Sequence, residues 1–122
     1  MTKDKILIID DDNRNIFALS AVLKARKYRC VSALSGEEGM ELLKKDKEIG
    51  VVLMDMMMPG LDGYQAMAAM SADQELKDLP VIAVTAQAML GDKERCLEAG
   101  AIGYVSKPIN IDTLTALLTK YI

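Results

Sequence analysis

An α/β fold built on a single parallel sheet is the class this sequence predicts, and three observations predict it. Five short runs rich in Val and Ile are continuously apolar rather than alternating, as strands covered on both faces require. A helical pattern separates each run from the next. The alternation is strict along 122 residues, a length that suits one core and hardly two. Such a pattern implies an open parallel sheet with right-handed crossovers.

The first strand is expected over residues 5–10, and a helix follows in which Ile16, Leu19 and Leu23 recur at helical spacing, with Asp12 as its N-cap. The second strand covers 29–34. "SGEE" at 35–38 reads as a capping box, Ser35 with Glu38 three residues on, and opens a helix through about Lys45. The third strand, 50–55, ends on Asp55, after which Pro59 and Gly60 break the pattern and a helix runs from Tyr64 to about Met70. The fourth strand spans 80–86, and the helix from Asp92 to Ala99 is stopped by Gly100. After the fifth strand, 103–107, Asn110 caps a last helix whose Ile111, Leu114, Leu117 and Leu118 form one apolar face. No repeat, linker or low-complexity tract interrupts the series.

Composition excludes several functions. Apolar residues make up 51% of the chain, which rules against disorder, yet no run is long enough to span a bilayer. The first residues lead directly into a strand without a signal-peptide core, so the expected compartment is the cytoplasm. Fifteen basic against eighteen acidic residues give a net charge of −3, a poor basis for binding nucleic acid. Cys30 and Cys96 match no zinc spacing and read as reduced structural thiols. The absence of histidine removes Ser-His-Asp and Cys-His catalysis, histidine metal sites and any phosphohistidine carried by this chain.

In parallel sheets the functional groups stand beyond the carboxyl ends of the strands, near a switch in strand order. The first strand closes on Asp10, Asp11 and Asp12, the third on Asp55, the fourth on Thr85, and the fifth on Lys107 before Pro108. In the order 2-1-3-4-5 the first and third strands are neighbours and their acids converge. Clustered carboxylates repel one another unless positive charge intervenes. Lys107 is one source; the other is a hard divalent cation, and an all-oxygen ligand set suits Mg²⁺. A carboxylate beside such a metal, a lysine and a hydroxyl is a phosphoryl acceptor in outline.

The motifs "LIIDDDN", "MDMMMPGLDGY", "VIAVTAQA" and "GYVSKPI" occur in this order, and together they resemble the receiver domain of two-component response regulators. The resemblance covers the chain, residues 1–122, as one receiver domain. It is most similar to receivers of hybrid histidine kinases or to stand-alone single-domain regulators. It implies a flavodoxin-like (βα)5 three-layer sandwich with strand order 2-1-3-4-5. It makes Asp55 the phosphoacceptor and Asp10, Asp11, Asp55 and the backbone carbonyl of Met57 the metal site. Thr85 and Lys107 would hold phosphoryl oxygens, and Tyr104 would be the aromatic whose rotamer follows Thr85. Met57 and Gln87, two residues beyond Asp55 and Thr85, would tune the phosphoryl lifetime, and the Lys107–Pro108 peptide would be cis. Implied with these are Mg²⁺, a histidine kinase or histidine phosphotransfer protein as donor, and a downstream protein target reached through about residues 92–122. No nucleic acid or membrane is involved, the chain is a monomer or weak dimer, and any catalysis is limited to its own phosphorylation and dephosphorylation. The residues after Pro108 leave no room for a DNA-binding effector, so a stand-alone regulator or a domain of a longer protein is expected.

Plainer roles compete. Asp10 and Asp11 could serve only as helix-capping acids, Thr85 as a strand residue, Tyr104 as a half-buried aromatic and Lys107 as a solvated lysine. The methionines of "MDMMMPG" read as packing. A flavin carrier would need a donor-rich loop where three acids stand, and no G-x-G-x-x-G or Walker A sequence occurs. An aspartyl-phosphate phosphatase usually places a second Asp where Met57 stands. The remaining rival is a receiver-like interaction module that is never phosphorylated.

Overall fold

The computed structural model describes residues 3–86 and 91–122. Strands and helices alternate as β1 (Lys5–Ile9), α1 (Asn13–Ala25), β2 (Arg29–Ala33), α2 (Gly36–Lys45), β3 (Ile49–Asp55), α3 (Gly63–Ser71), β4 (Val81–Thr85), α4 (Asp92–Glu98), β5 (Gly103–Ser106) and α5 (Ile111–Leu118). The strands form one parallel sheet in the order β2-β1-β3-β4-β5. This is the flavodoxin-like arrangement expected from the sequence.

Strand side chains alternate between two faces, and each face needs its own cover. Ile6, Ile8, Val51, Leu53, Ile82, Val84 and Val105 pack with Ile16 and Leu23 of α1 and Leu114 and Leu118 of α5. Leu7, Ile9, Val52, Met54 and Ala83 pack on the other side with residues of α2, α3 and α4. Seven consecutive buried residues make β3 the spine of the sheet, which explains its unbroken apolar run. Cys30 and Cys96 are both free, the first half-buried and the second buried. Among the described residues no helix is long and apolar enough to cross a membrane.

Local chemistry sets the helix ends. Asp12 accepts from the Arg14 N–H and Asn110 from the Thr113 N–H, as expected of N-caps. Ser35 accepts from the Glu38 N–H, which is half of the expected capping box. The reciprocal box sits instead at Asp62 and Gln65, and it starts α3 at Gly63, one residue ahead of the expected Tyr64. Gly100, at φ 114°, ends α4 with the bonds of a Schellman motif: its N–H donates to Leu97 O and that of Ala101 to Cys96 O. The same motif ends α1, where Lys27 and Tyr28 donate to Lys24 O and Leu23 O, but the left-handed residue there is Lys27, at φ 71°. β1 and β5 each stop one residue short of the expected Asp10 and Lys107. Both residues nevertheless continue the ladder, Asp10 N–H donating to Ala33 O and Lys107 N–H to Thr85 O.

Candidate functional site

Those ladder bonds, with the Met56 N–H donating to Val84 O, fix the backbone at the carboxyl ends of β1, β3 and β5, and the pleat then directs the side chains. Asp10 follows Ile6 and Ile8 in parity, Asp55 follows Val51 and Leu53, and Lys107 follows Val105, so all three continue the α1–α5 side of the sheet. The sheet order sets β3 between β1 and β4, and the acids meet where the order reverses.

At this point Asp10, Asp11 and Asp55 each offer a carboxylate oxygen within 4.8 Å of the others. Asp10 and Asp55 are buried, Asp11 exposed. Lys107 Nζ lies 3.1 Å from Asp10 Oδ2 and 3.5 Å from Asp55 Oδ2. Asp55 Oδ1 accepts from the Met57 N–H at 3.0 Å, and Asp10 Oδ1 from the Asp12 N–H at 2.9 Å. Each buried carboxylate is thus held by a backbone donor and faces one ammonium group.

Burial pushes the Asp55 carboxyl above the ordinary carboxylate range, with repulsion from Asp10 and Asp11 adding to it. The Met57 N–H and Lys107 oppose the rise without cancelling it. Desolvation is therefore the larger cause, ahead of the mutual repulsion that the sequence suggested. For Lys107 burial pulls the other way, yet its bond to Asp10 and the charge of Asp55 together hold the ammonium above its usual value. A cationic lysine beside a partly desolvated acid is the outcome.

The other predicted residues fall around this centre. Thr85 is buried at the end of β4, one residue past Val84, the register partner of Asp55. Met57 turns its side chain to solvent (54% exposed), whereas Met56 and Met58 are buried, so only two of the three methionines are packing residues. The Lys107–Pro108 peptide is cis, as expected. Gln87 lies outside the described residues. Tyr104 stands apart from the acids: it is half-buried and donates its hydroxyl to Asp92 Oδ2 at 3.1 Å.

Sequence reasoning missed two features. Asp92 was read only as a helix start, and nothing in its neighbours signals that two tyrosines converge on it. A groove of about 260 Å³ also opens beside the acids, between α1 and the segment after β5, lined by Asn15, Leu19, Val22, Pro108 and Ile109 together with Lys107. Its walls are distant in sequence, so no local pattern announces it.

The donor chemistry fits a hard cation. Three carboxylates with no nitrogen or sulfur ligand favour magnesium over zinc or copper, and two of the acids already hold fixed orientations.

Fold and acid centre together define a phosphoacceptor signalling module of two-component systems. The chain belongs to the response regulator receiver domain family, whose description, "Response regulator receiver domain", matches residues 6–119. It is 33% identical over 122 residues to the polar-differentiation response regulator DivK of Brucella ovis, covering 100% of this chain and 98% of that protein. Protein PilH of Pseudomonas aeruginosa is 37% identical over 110 residues, 90% of each chain. Among solved structures, the receiver domain of the sensor histidine kinase PA1611 from Pseudomonas aeruginosa superposes with a TM-score of 0.87 at 31% identity. It covers 98% of both chains, and a magnesium ion is coordinated in its active-site cleft.

Proposed function

We propose that Asp55 is the residue that accepts the phosphoryl group, and that the single observation carrying this reading is its position. It is a buried strand-end carboxylate in contact with Lys107 and within ligand reach of Asp10 and Asp11. Residues 1–122 act as one receiver unit. The donor is a histidine kinase or a histidine phosphotransfer protein, as the family relationship implies, and the chain's lack of histidine requires the donor imidazole to come from elsewhere.

An oxygen of Asp55 attacks phosphorus as the phosphorus–nitrogen bond of the donor imidazole breaks, and the imidazole leaves with a proton. The Met57 N–H on Oδ1 and Lys107 near Oδ2 hold the nucleophile in one orientation. Asp10, Asp11, Asp55 and the Met57 carbonyl would hold Mg²⁺, which when bound offsets charge on the phosphoryl oxygens. Lys107 moves its positive charge from Asp10 and Asp55 toward one phosphoryl oxygen, and the Thr85 hydroxyl donates to another. Tyr104 then follows Thr85, and the change is read by a downstream protein on the face formed by about residues 92–122. The reading implies a cytoplasmic protein, a monomer or weak dimer, and no catalysis beyond its own phosphorylation and dephosphorylation.

The test is labelling with acetyl phosphate and Mg²⁺. One phosphoryl group should be added, and it should be lost in base or hydroxylamine, as an acyl phosphate is and a serine ester is not. Asp55→Asn should abolish labelling while the fold is retained. Undiminished labelling of that variant would place the phosphoryl group on another residue and overturn this reading. A parent that takes no label would replace it with an unphosphorylated interaction module.

A further inference from the structure

α4 is held differently from the other helices. It has seven residues and buries one side chain, Cys96; its N-cap is Gly91, at φ 85°, which offers no side chain to the first turn. The first turn is instead tied to its neighbours through Asp92. Tyr104 of β5 donates to Asp92 Oδ2 at 3.1 Å, and Tyr64 of α3 donates to Oδ1 at 3.4 Å. Tyr64 Oη also lies 3.6 Å from Cys96 Sγ, and the Arg95 guanidinium covers the Tyr64 ring 4.9 Å from its centre.

The protons order in one way. Each phenol has one hydrogen, and the Asp92 carboxylate has only acceptors, so both tyrosines give their hydrogens to it. The Cys96 thiol then donates to the Tyr64 oxygen. Burial raises the Tyr64 hydroxyl to about 12 and also moves the Tyr104 hydroxyl and Cys96 thiol upward, so all three keep their hydrogens at neutral pH. One carboxylate therefore joins α3, α4 and β5, and it is the tie that occupies the Tyr104 hydroxyl.

We infer that Asp92 is a latch: its carboxylate, gripped by Tyr64 and Tyr104, holds the first turn of α4 and the Tyr104 ring in the resting arrangement. The inference rests on the receiver reading for the part that Tyr104 plays after phosphorylation. A bond made in only one of two conformations biases the equilibrium toward that one by its own free energy. If Tyr104 moves toward Thr85 its hydroxyl must leave Asp92, and the Asp92–Tyr104 bond is lost in that state. Tyr64 does not move with Tyr104; it keeps Asp92 placed to receive the hydroxyl again when the phosphoryl group is lost. The latch thus sets how readily the switch leaves its resting state, at a point outside the acid centre.

The experiment uses the full chain with ¹³C-labelled tyrosine rings, without and with Mg²⁺ and beryllofluoride, a stand-in for the phosphoryl group on an aspartate. In Asp92→Ala without beryllofluoride, the Tyr104 ring resonances should lie part of the way toward their beryllofluoride position. Half-saturation should come at a beryllofluoride concentration lower by about threefold or more, as loss of one charge-assisted hydrogen bond implies. Tyr64→Phe should act in the same direction more weakly. Parent-like Tyr104 resonances and unchanged half-saturation in Asp92→Ala overturn the latch. Amide exchange separates this from failure of the receiver reading. Asp92→Ala should speed exchange of the α4 amides by about fivefold or more and leave α5 unchanged. If the parent ignores beryllofluoride, the receiver reading fails and exchange alone decides the latch, with unaltered α4 exchange overturning it.

Discussion

Lys107 stands closer to Asp10 than to Asp55, its Nζ 3.1 Å from one carboxylate and 3.5 Å from the other. The resting lysine thus leans on the neighbour of the acceptor, not the acceptor itself. Asp10 therefore makes the shorter contacts with both its backbone donor and the ammonium, and Asp55 meets the ammonium at longer range.

Removing the lysine separates these contributions. Lys107→Ala leaves two buried carboxylates without their cation, and in metal-free buffer it should cost on the order of 1–3 kcal/mol in urea unfolding. It should also tighten Mg²⁺ binding, because an ammonium no longer competes for the same oxygens. Some labelling of Asp55 should persist, with weaker coupling to the output face. Weaker Mg²⁺ binding in the variant would contradict this picture of the charge.

The direction of the Asp55 shift gives a pH signature. An acid whose folded-state value is raised contributes stability that is present below its unfolded value and lost as pH rises through the folded value. Once pH has passed the folded value the parent has lost that contribution, and there Asp55→Asn should unfold at a higher temperature than the parent in metal-free buffer. The advantage should shrink as pH falls below the ordinary carboxylate range. Phosphorylation, which needs the ionised acid, should fall on acidification. Thermal unfolding and acetyl phosphate labelling against pH measure the two.

Much of this site was legible in the sequence, for a physical reason. Four of the five strands end on a carboxylate, a hydroxyl or an ammonium, and period-two pleating carries Asp10, Asp55 and Lys107 to one side once the order 2-1-3-4-5 is assumed. Strand identities and caps such as Asp12 and Asn110 depend on local chemistry and were equally readable. The Asp92 contacts were not, because Tyr64, Asp92 and Tyr104 lie on three elements and meet only after the layers pack. Nor was the exposure of Met57, since three adjacent methionines look alike until the loop sorts them. The left-handed residue at the end of α1 was also hidden, because lysine does not advertise that conformation.

Lys27 supplies a stability test away from the site. Its φ of 71° is a conformation that L side chains adopt at a cost, and glycine adopts without one. Lys27→Gly should stabilise the protein by about 0.5–1 kcal/mol, visible as a rise of a few degrees in Tm, with phosphorylation unchanged. A fall in Tm would mean that the lysine side chain makes a compensating contribution.

Gly63 tests how tightly the start of α3 is pressed against the acceptor strand. A Cβ there would lie 2.6 Å from Met56 Sδ, 2.8 Å from Met56 Cα and 3.0 Å from the Asp55 carbonyl oxygen. Two of these atoms are backbone, so a rotamer change cannot relieve the contact. Gly63→Ala should destabilise by about 1–3 kcal/mol and slow labelling by moving Asp55. Normal labelling with lowered stability would place the shift in α3 alone.

Met57 tests the lifetime of the phosphorylated state. Its N–H holds Asp55 Oδ1 at 3.0 Å, while its side chain is 54% exposed and lies two residues beyond the acceptor. A thioether neither orients a water molecule nor takes its proton, so a methionine that folds over the acyl phosphate excludes the attacking water. Asn at the same position keeps the backbone donor, and with it the orientation of Asp55, but adds an amide that can hold water in line with phosphorus. Met57→Asn should therefore leave the rate of labelling within about twofold and speed loss of the label severalfold, roughly 1 kcal/mol of barrier. Met57→Ala separates the two effects, because it removes the cover without supplying an amide and should give an intermediate rate. Loss of label from Met57→Asn at the parent rate or slower would assign the lifetime to other residues.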